Sequence, residues 1–315
     1  MNASFIQRIT VLSASTMIFT VGAANAAAYS WTEILIPSIG PFGAAFGIND
    51  RSQVAVQNAG PVPGVKTGIY HNGIYTQLPA LPAGYTFFGA TGINNRGVIV
   101  GGAYPPTDPT HEQGFILIGS KYTFFSRPGW NNTEARAIAN SGLITGYSYT
   151  DDVSTTAGFI YDPATGTFTD ATPPGSGTGF SVTQGMNAAG RISGDGRSTE
   201  FGRYAFVWQQ GTLVKGTRQL PPFLARIQIA NSNSAARGIN DAGVIVGFTN
   251  SGVGFVGNDS RGFQQLIPPG GDAPGAIIAC EGINNLGQVT CTVTDASGNN
   301  RGFIGVPDAN DSIGP

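Results

Sequence analysis

A segment close to Gly-Ile-Asn-Asn-x-Gly-x-Ile returns six times along this chain, and it constrains the fold more than any other feature. The copies are Gly47–Val54, Gly92–Ile99, Ala137–Ile144, Gly185–Ile192, Gly238–Ile245 and Gly282–Val289. Their first residues are 45, 45, 48, 53 and 44 residues apart. A unit that recurs at this spacing is one supersecondary element that cannot bury its apolar face alone, so its copies must stack. Downstream of five of the six copies lies a second signature, a small residue followed by an aromatic and an apolar one: Gly114-Phe115-Ile116, Gly158-Phe159-Ile160, Ala205-Phe206-Val207, Gly254-Phe255-Val256 and Gly302-Phe303-Ile304. A further β-rich run then follows in most units, often closing on proline, as in Ile74–Pro79.

Each unit therefore reads as four strands, here lettered A to D. Strand A ends in Gly-Ile, B is x-Ile-Val-Gly, C carries the Gly-Phe pair and D is the Thr/Tyr-rich run. Between A and B, Asn-Asn-x-Gly suits a tight turn: Asn caps it with its side chain and Gly takes positive φ. In that register the two isoleucine columns oppose each other across the hairpin. Ser52 stands where five units carry Gly, which predicts a different turn in the first unit. The small residues of strand A fit an innermost strand crowded at an axis.

The ends are complementary. The last unit stops after its C strand, near Val306, and an orphan D-like run, Trp31–Pro37, precedes the first A strand. A D strand from the N-terminus would complete the last unit and remove two exposed sheet edges. The expected architecture is an all-β, six-bladed β-propeller over residues 27–306, closed by pairing of residues near Thr32–Ile36 with Phe303–Val306. An open β-solenoid is the rival, but it gives no reason for the complementary ends.

Residues 1–26 read as an export signal. Arg8 is positive, Ile9–Ala24 is mostly apolar, and Ala24-Asn25-Ala26 fits a small-x-small cleavage site. The apolar run is broken by small residues before the roughly 20 residues needed to span a bilayer. The expectation is a secreted or periplasmic monomer, with no membrane insertion after cleavage and a polar tail at 307–315.

With these motifs on nearly all of the mature length, the chain resembles the HAF-family extracellular repeat proteins, although its aromatic column reads Gly-Phe or Ala-Phe rather than His-Ala-Phe. The resemblance implies an exported bacterial repeat protein and carries over no catalytic residues.

Composition narrows the functional classes. Charged residues make up 11% of the chain and the net charge is −2, with no basic cluster to neutralise phosphates, so nucleic acid is not the expected partner. No metalloprotease, nucleophile-elbow or P-loop pattern occurs. No metal and no cofactor are expected. The unusual side chains gather in the B–C loops, which share one face with the D–A connectors. The residue before the strand-A glycine varies and is mostly polar. Arg136, Gln184, Arg237 and Glu281 at that position are expected to ring a channel mouth on the D–A/B–C face, with His111 and Tyr149 reaching over it. The expected function is non-catalytic binding of a glycan, other polymer, peptide or envelope protein there. The alternative is a secreted hydrolase or lyase acting on a polysaccharide, with His111 as the imidazole.

Cys280 and Cys291, the only cysteines, flank the sixth A–B hairpin. A two-residue turn would make them direct partners, whereas a glycine-bulge register would slip them to opposite faces. An oxidising compartment favours the disulfide.

Overall fold

The computed structural model describes residues 15–19, 27–36, 43–57, 67–173, 179–198, 202–209, 223–229, 233–258 and 261–308. They form six antiparallel sheets around one axis, a six-bladed β-propeller. The innermost strands are Ala44–Ile48, Thr86–Ile93, Asn132–Ile138, Ser181–Met186, Ser234–Ile239 and Ile277–Ile283. Each is followed outward by its B, C and D strands. In the second blade these are Ile99–Tyr104, Gln113–Ile118 and Lys121–Phe125.

The repeat columns map onto this packing. The isoleucine columns pair directly across each A–B hairpin, Ile93 with Ile99, Ile138 with Ile144 and Ile239 with Ile245. These positions are buried, and each such side chain contributes about 1.5–3 kcal/mol on burial. The strand-B glycine pairs with the strand-C phenylalanine, Gly101 with Phe115, Gly146 with Phe159 and Gly247 with Phe255. The ring lies over the glycine, so a Cβ on Gly247 would sit 2.7 Å from Phe255. Strand-A glycines serve the axis. A Cβ on Gly47 would meet the Thr91 carbonyl at 2.9 Å, and one on Gly282 the Phe46 carbonyl at 2.7 Å. Successive inner strands thus touch backbone to backbone, including across the closure from blade six to blade one.

Closure follows the complementary ends, with a shifted register. Tyr29–Glu33 is the outer strand of the sixth blade and pairs from Tyr29–Pro307 to Glu33–Phe303. The pairing lies a few residues N-terminal to the expected Thr32–Ile36, because Ile34 and Ile36 turn inward and are fully buried instead. Pro307 belongs to the last strand and the Asp308 amide donates to the Ala28 carbonyl, so the blade runs past the expected boundary at 306. Within the expected leader, Ser15–Phe19 lies parallel to Phe223–Ile229 as a fifth strand on blade four. The expected cleavage site and the tail from residue 309 lie outside the described residues.

The A–B turns correct one expectation. Gly97, Gly142, Gly190, Gly243 and Gly287 all have positive φ, between 75° and 97°. Ser52, expected to force a different turn, takes the same left-handed conformation at φ 59°. Its amide donates to the Asn49 carbonyl as the glycines' amides do. Its hydroxyl donates to Gln288 at 2.7 Å, and Asn49 Oδ1 caps the turn by accepting from Arg51 and Gln53. A side chain in this region costs about 1–2 kcal/mol, which local hydrogen bonds offset here. Gly243 has no such neighbour, its nearest contact being Arg191 at 3.6 Å. Gly243→Val is expected to lower stability by at least about 1–2 kcal/mol, and urea denaturation checks it.

The cysteines form a disulfide, with S–S 2.03 Å. The two registers weighed from sequence both occur. Ile283 pairs with Val289 around the five-residue turn, and a second irregularity at Glu281 brings Cys280 directly opposite Cys291.

Candidate functional site

The irregularity at Glu281 is repeated in every blade. Strand A loses register between Ala45 and Ile48, Ala90 and Gly92, Ala135 and Ala137, Thr183 and Gly185, Ala236 and Gly238, and Cys280 and Gly282. The variable residue before the strand-A glycine is thus a β-bulge residue, and bulges re-aim side chains out of the pleat. Five of these residues, Thr91, Arg136, Gln184, Arg237 and Glu281, line one axial cavity.

Arg136 organises the inner end of that cavity. Its Nη1 donates to Glu134 Oε1 at 2.8 Å and its Nη2 to Glu281 Oε2 at 3.1 Å. Arg237 Nε lies 3.8 Å from the same Glu281 oxygen, and the Tyr147 hydroxyl donates to Glu134. The Phe46 ring lies 5.8 Å from the Arg136 guanidinium. Side-chain exposure is 11% for Arg136, 13% for Glu281 and 15% for Arg237. Burial opposes the guanidinium charge, but Glu134 and Glu281 outweigh it and hold Arg136 above the ordinary arginine pKa.

The four sequence candidates at this level do converge on the axis. They line a cavity of about 120 Å³ whose other lining residues belong to strand A and the A–B turns. At the A–B-turn end it reaches Asp50, Asn95, Asn140, Ala188, Asp241 and Asn285, which are exposed or half-exposed. The strand-A bulge turns these side chains toward the axis, which strand alternation alone would not do.

Two hydrogen-bonded rings frame the mouth. In the inner one, the repeat asparagine donates its amide to the carbonyl of its counterpart one blade on: Asn49 to Asn94, Asn94 to Ala139, Asn187 to Asn240, Asn240 to Asn284, and Asn284 back to Asn49. In the outer one, the next residue's backbone N–H donates to the following blade's side-chain oxygen, as from Asp50 to Asn95 and from Asn285 to Asp50. The Asn-Asn pair thus ties blades together as well as capping turns.

On the D–A/B–C face, His111 is held between two loops, its Nδ1 by Asp108 and its Nε2 by Asp151 at 3.0 Å. The bond to Asp108, then that to Asp151, raises its pKa. Tyr149 donates to Glu112 Oε2 at 3.0 Å. Glu112 is 1% exposed, and its Oε1 has no hydrogen-bond partner. It fills the space that a side chain on Gly102 would take. Burial first, then the nearby Glu134, pushes its carboxyl well above the ordinary range. An acid whose folded pKa is raised binds more protons folded than unfolded, so stability falls as pH rises from the unfolded value toward the folded one. Glu112→Gln keeps the neutral shape and should melt higher than the parent at pH 8, with the difference shrinking toward pH 4.5. Thermal denaturation across that range checks it. Sequence reading missed the Glu112–Glu134 pair, since the two belong to different blades, Glu112 just before a C strand and Glu134 within an A strand.

Among the described residues, no group of three or more His, Cys, Asp or Glu side chains is placed to hold a metal ion. No family model matches the sequence, and no curated protein matches it significantly. Solved structures do. A gluconolactonase from Xanthomonas campestris superposes at TM-score 0.53 and 11% identity, over 92% of this chain and 94% of its own. The fucose-recognising lectin of Aleuria aurantia, a six-bladed propeller, gives TM-score 0.49 and 12% identity, over 89% of this chain and 99% of that one. TolB from Acinetobacter baumannii gives 0.49 and 11% over 85% of this chain, which spans 54% of the TolB chain. At such identities the likeness to the gluconolactonase shows the fold.

Proposed function

We propose that this chain is an exported, non-catalytic propeller of the HAF-repeat kind that binds a glycan, peptide or envelope partner through its D–A/B–C face. The observation that carries this reading is that the groups able to do acid–base chemistry are engaged with one another. Both His111 nitrogens face aspartates, the Tyr149 hydroxyl faces a buried glutamate, and Arg136, Arg203 and Arg301 each hold carboxylates. A general base must reach its proton with a free lone pair, and neither nitrogen of His111 is free to offer one. The B–C loops instead expose polar side chains that differ from blade to blade, Asp151, Asp152 and Asp295 among them, as an asymmetric partner site requires. The export segment at Arg8–Ala26 supports a site of action outside the cytoplasm.

The test is a panel of glycans, peptides and polysaccharides screened for binding and for product release. The triple variant Asp151→Ala, Asp152→Ala, Asp295→Ala is expected to lose binding. A control pair on the other face, His71→Ala with Asn72→Ala, is expected to keep it. Product release from any polymer, or loss in the control pair alone, overturns the reading.

A further inference from the structure

The two rings around the cavity mouth are both open at the same place. Five blade boundaries carry a link in each ring; the outer ring's remaining links run from Asn95 to Asn140, Ala188 to Asp241 and Asp241 to Asn285. At the boundary between blades three and four, Ala139 stands where the donating asparagine should be, and Ala188 where the accepting side chain should be. Neither alanine has a polar atom to supply. Among the described residues, the Asn140 N–H consequently lacks the acceptor that its five counterparts have. The Asn187 carbonyl accepts from Gly190 alone, whereas its counterparts also receive a side-chain amide.

Both groups belong to residues lining the axial cavity, and the inner end of the cavity at the same side is also unfilled. Gln184 is 4% exposed, and its buried Oε1 has no partner. Arg237 Nε is buried and has no hydrogen-bond acceptor. Asn187 is buried and Asn140 is exposed, so a group that supplies the missing donor and acceptor makes hydrogen bonds worth about 0.5–1.5 kcal/mol each net.

We propose that this gap is a binding site for the acetamido group of an N-acetylated sugar. It is distinct from the partner face described above. What the two alanines omit is one amide N–H donor and one amide oxygen acceptor, and an acetamido group carries both. The size agrees. An engineered cavity of about 150 Å³ holds a benzene ring, so about 120 Å³ takes an acetamido group and leaves the pyranose ring at the mouth, beside Asp241. An internal peptide group offers the same donor and acceptor, but chain continues on both sides of it, and a cavity of about 120 Å³ has room for little beyond the group itself.

The experiment titrates the purified protein with N-acetylglucosamine, glucose and L-glutamine while following the Asn140 backbone amide by NMR. N-acetylglucosamine is expected to shift that resonance saturably, and glucose to leave it in place. The double variant Ala139→Asn, Ala188→Asn completes both rings with the protein's own chemistry. It should melt higher than the parent and lose the response. The single variant Ala188→Asn, which fills the outer-ring gap alone, should weaken binding about fivefold to tenfold and serves if the double variant does not fold. The Asp151→Ala, Asp152→Ala, Asp295→Ala variant should respond like the parent, which separates this site from the loop-face reading. No saturable shift up to tens of millimolar, an equal response to glucose, tighter binding of glutamine, or a response that survives ring completion would each overturn the proposal.

Discussion

Deleting Tyr29–Ile36 is expected to lower the melting temperature by more than about 10 °C, or to prevent refolding. The segment supplies the outer strand of the last blade, so its loss exposes the edge of Asn300–Pro307 and opens the ring. It also removes Ile34 and Ile36, both fully buried against blade one, and the Tyr29–Trp31 pair packed on blade six. Core truncations of this size cost about 2–5 kcal/mol each, against a total stability of about 5–15 kcal/mol. In a domain this large each kcal/mol is worth about 2–4 °C. Calorimetry on the truncated and full chains measures the effect, and superimposable melts would show that the closing strand holds nothing together.

Arg136→Ala is the substitution with the next largest effect, a loss of about 3–5 kcal/mol. Most of that is not the value of the ion pairs themselves. It is the cost of leaving Glu134 and Glu281 buried near the axis without their cation, since a buried charge is tolerable only when paired. Two consequences identify the mechanism. Destabilisation should be smaller at pH 5 than at pH 8, because the abandoned carboxyls can then take up protons. Adding Glu134→Gln and Glu281→Gln to Arg136→Ala should recover part of the loss. Urea denaturation of the three variants at both pH values gives the comparison. A pH-independent deficit would reduce Arg136 to a space-filling role.

These two predictions stand at opposite ends of what could be read before the structure. The closing strand was legible because an unfinished unit at one end and a surplus strand at the other are visible in the order of motifs. The left-handed turns were legible from glycine, but Ser52 was misread: its cost is met by Asn49 and by Gln288, which is 236 residues away in sequence. The bulge position was recognisable as a column of variable polar residues, and those residues do meet.

The reading placed that column at a channel mouth on the D–A/B–C face; the structure puts it on the wall of a cavity that runs to the A–B turns. Nothing local announces that a strand bends at one residue, because the bend is forced by inner strands in backbone contact across blades. Period, turn chemistry and the opposed isoleucine columns are properties of neighbouring residues, so the sequence by itself determined the blade, the number of blades and the way the ring closes. Which charges pair across the axis and where the asparagine rings break depend on residues from different blades brought together only when the ring closes. The tertiary structure alone decided those.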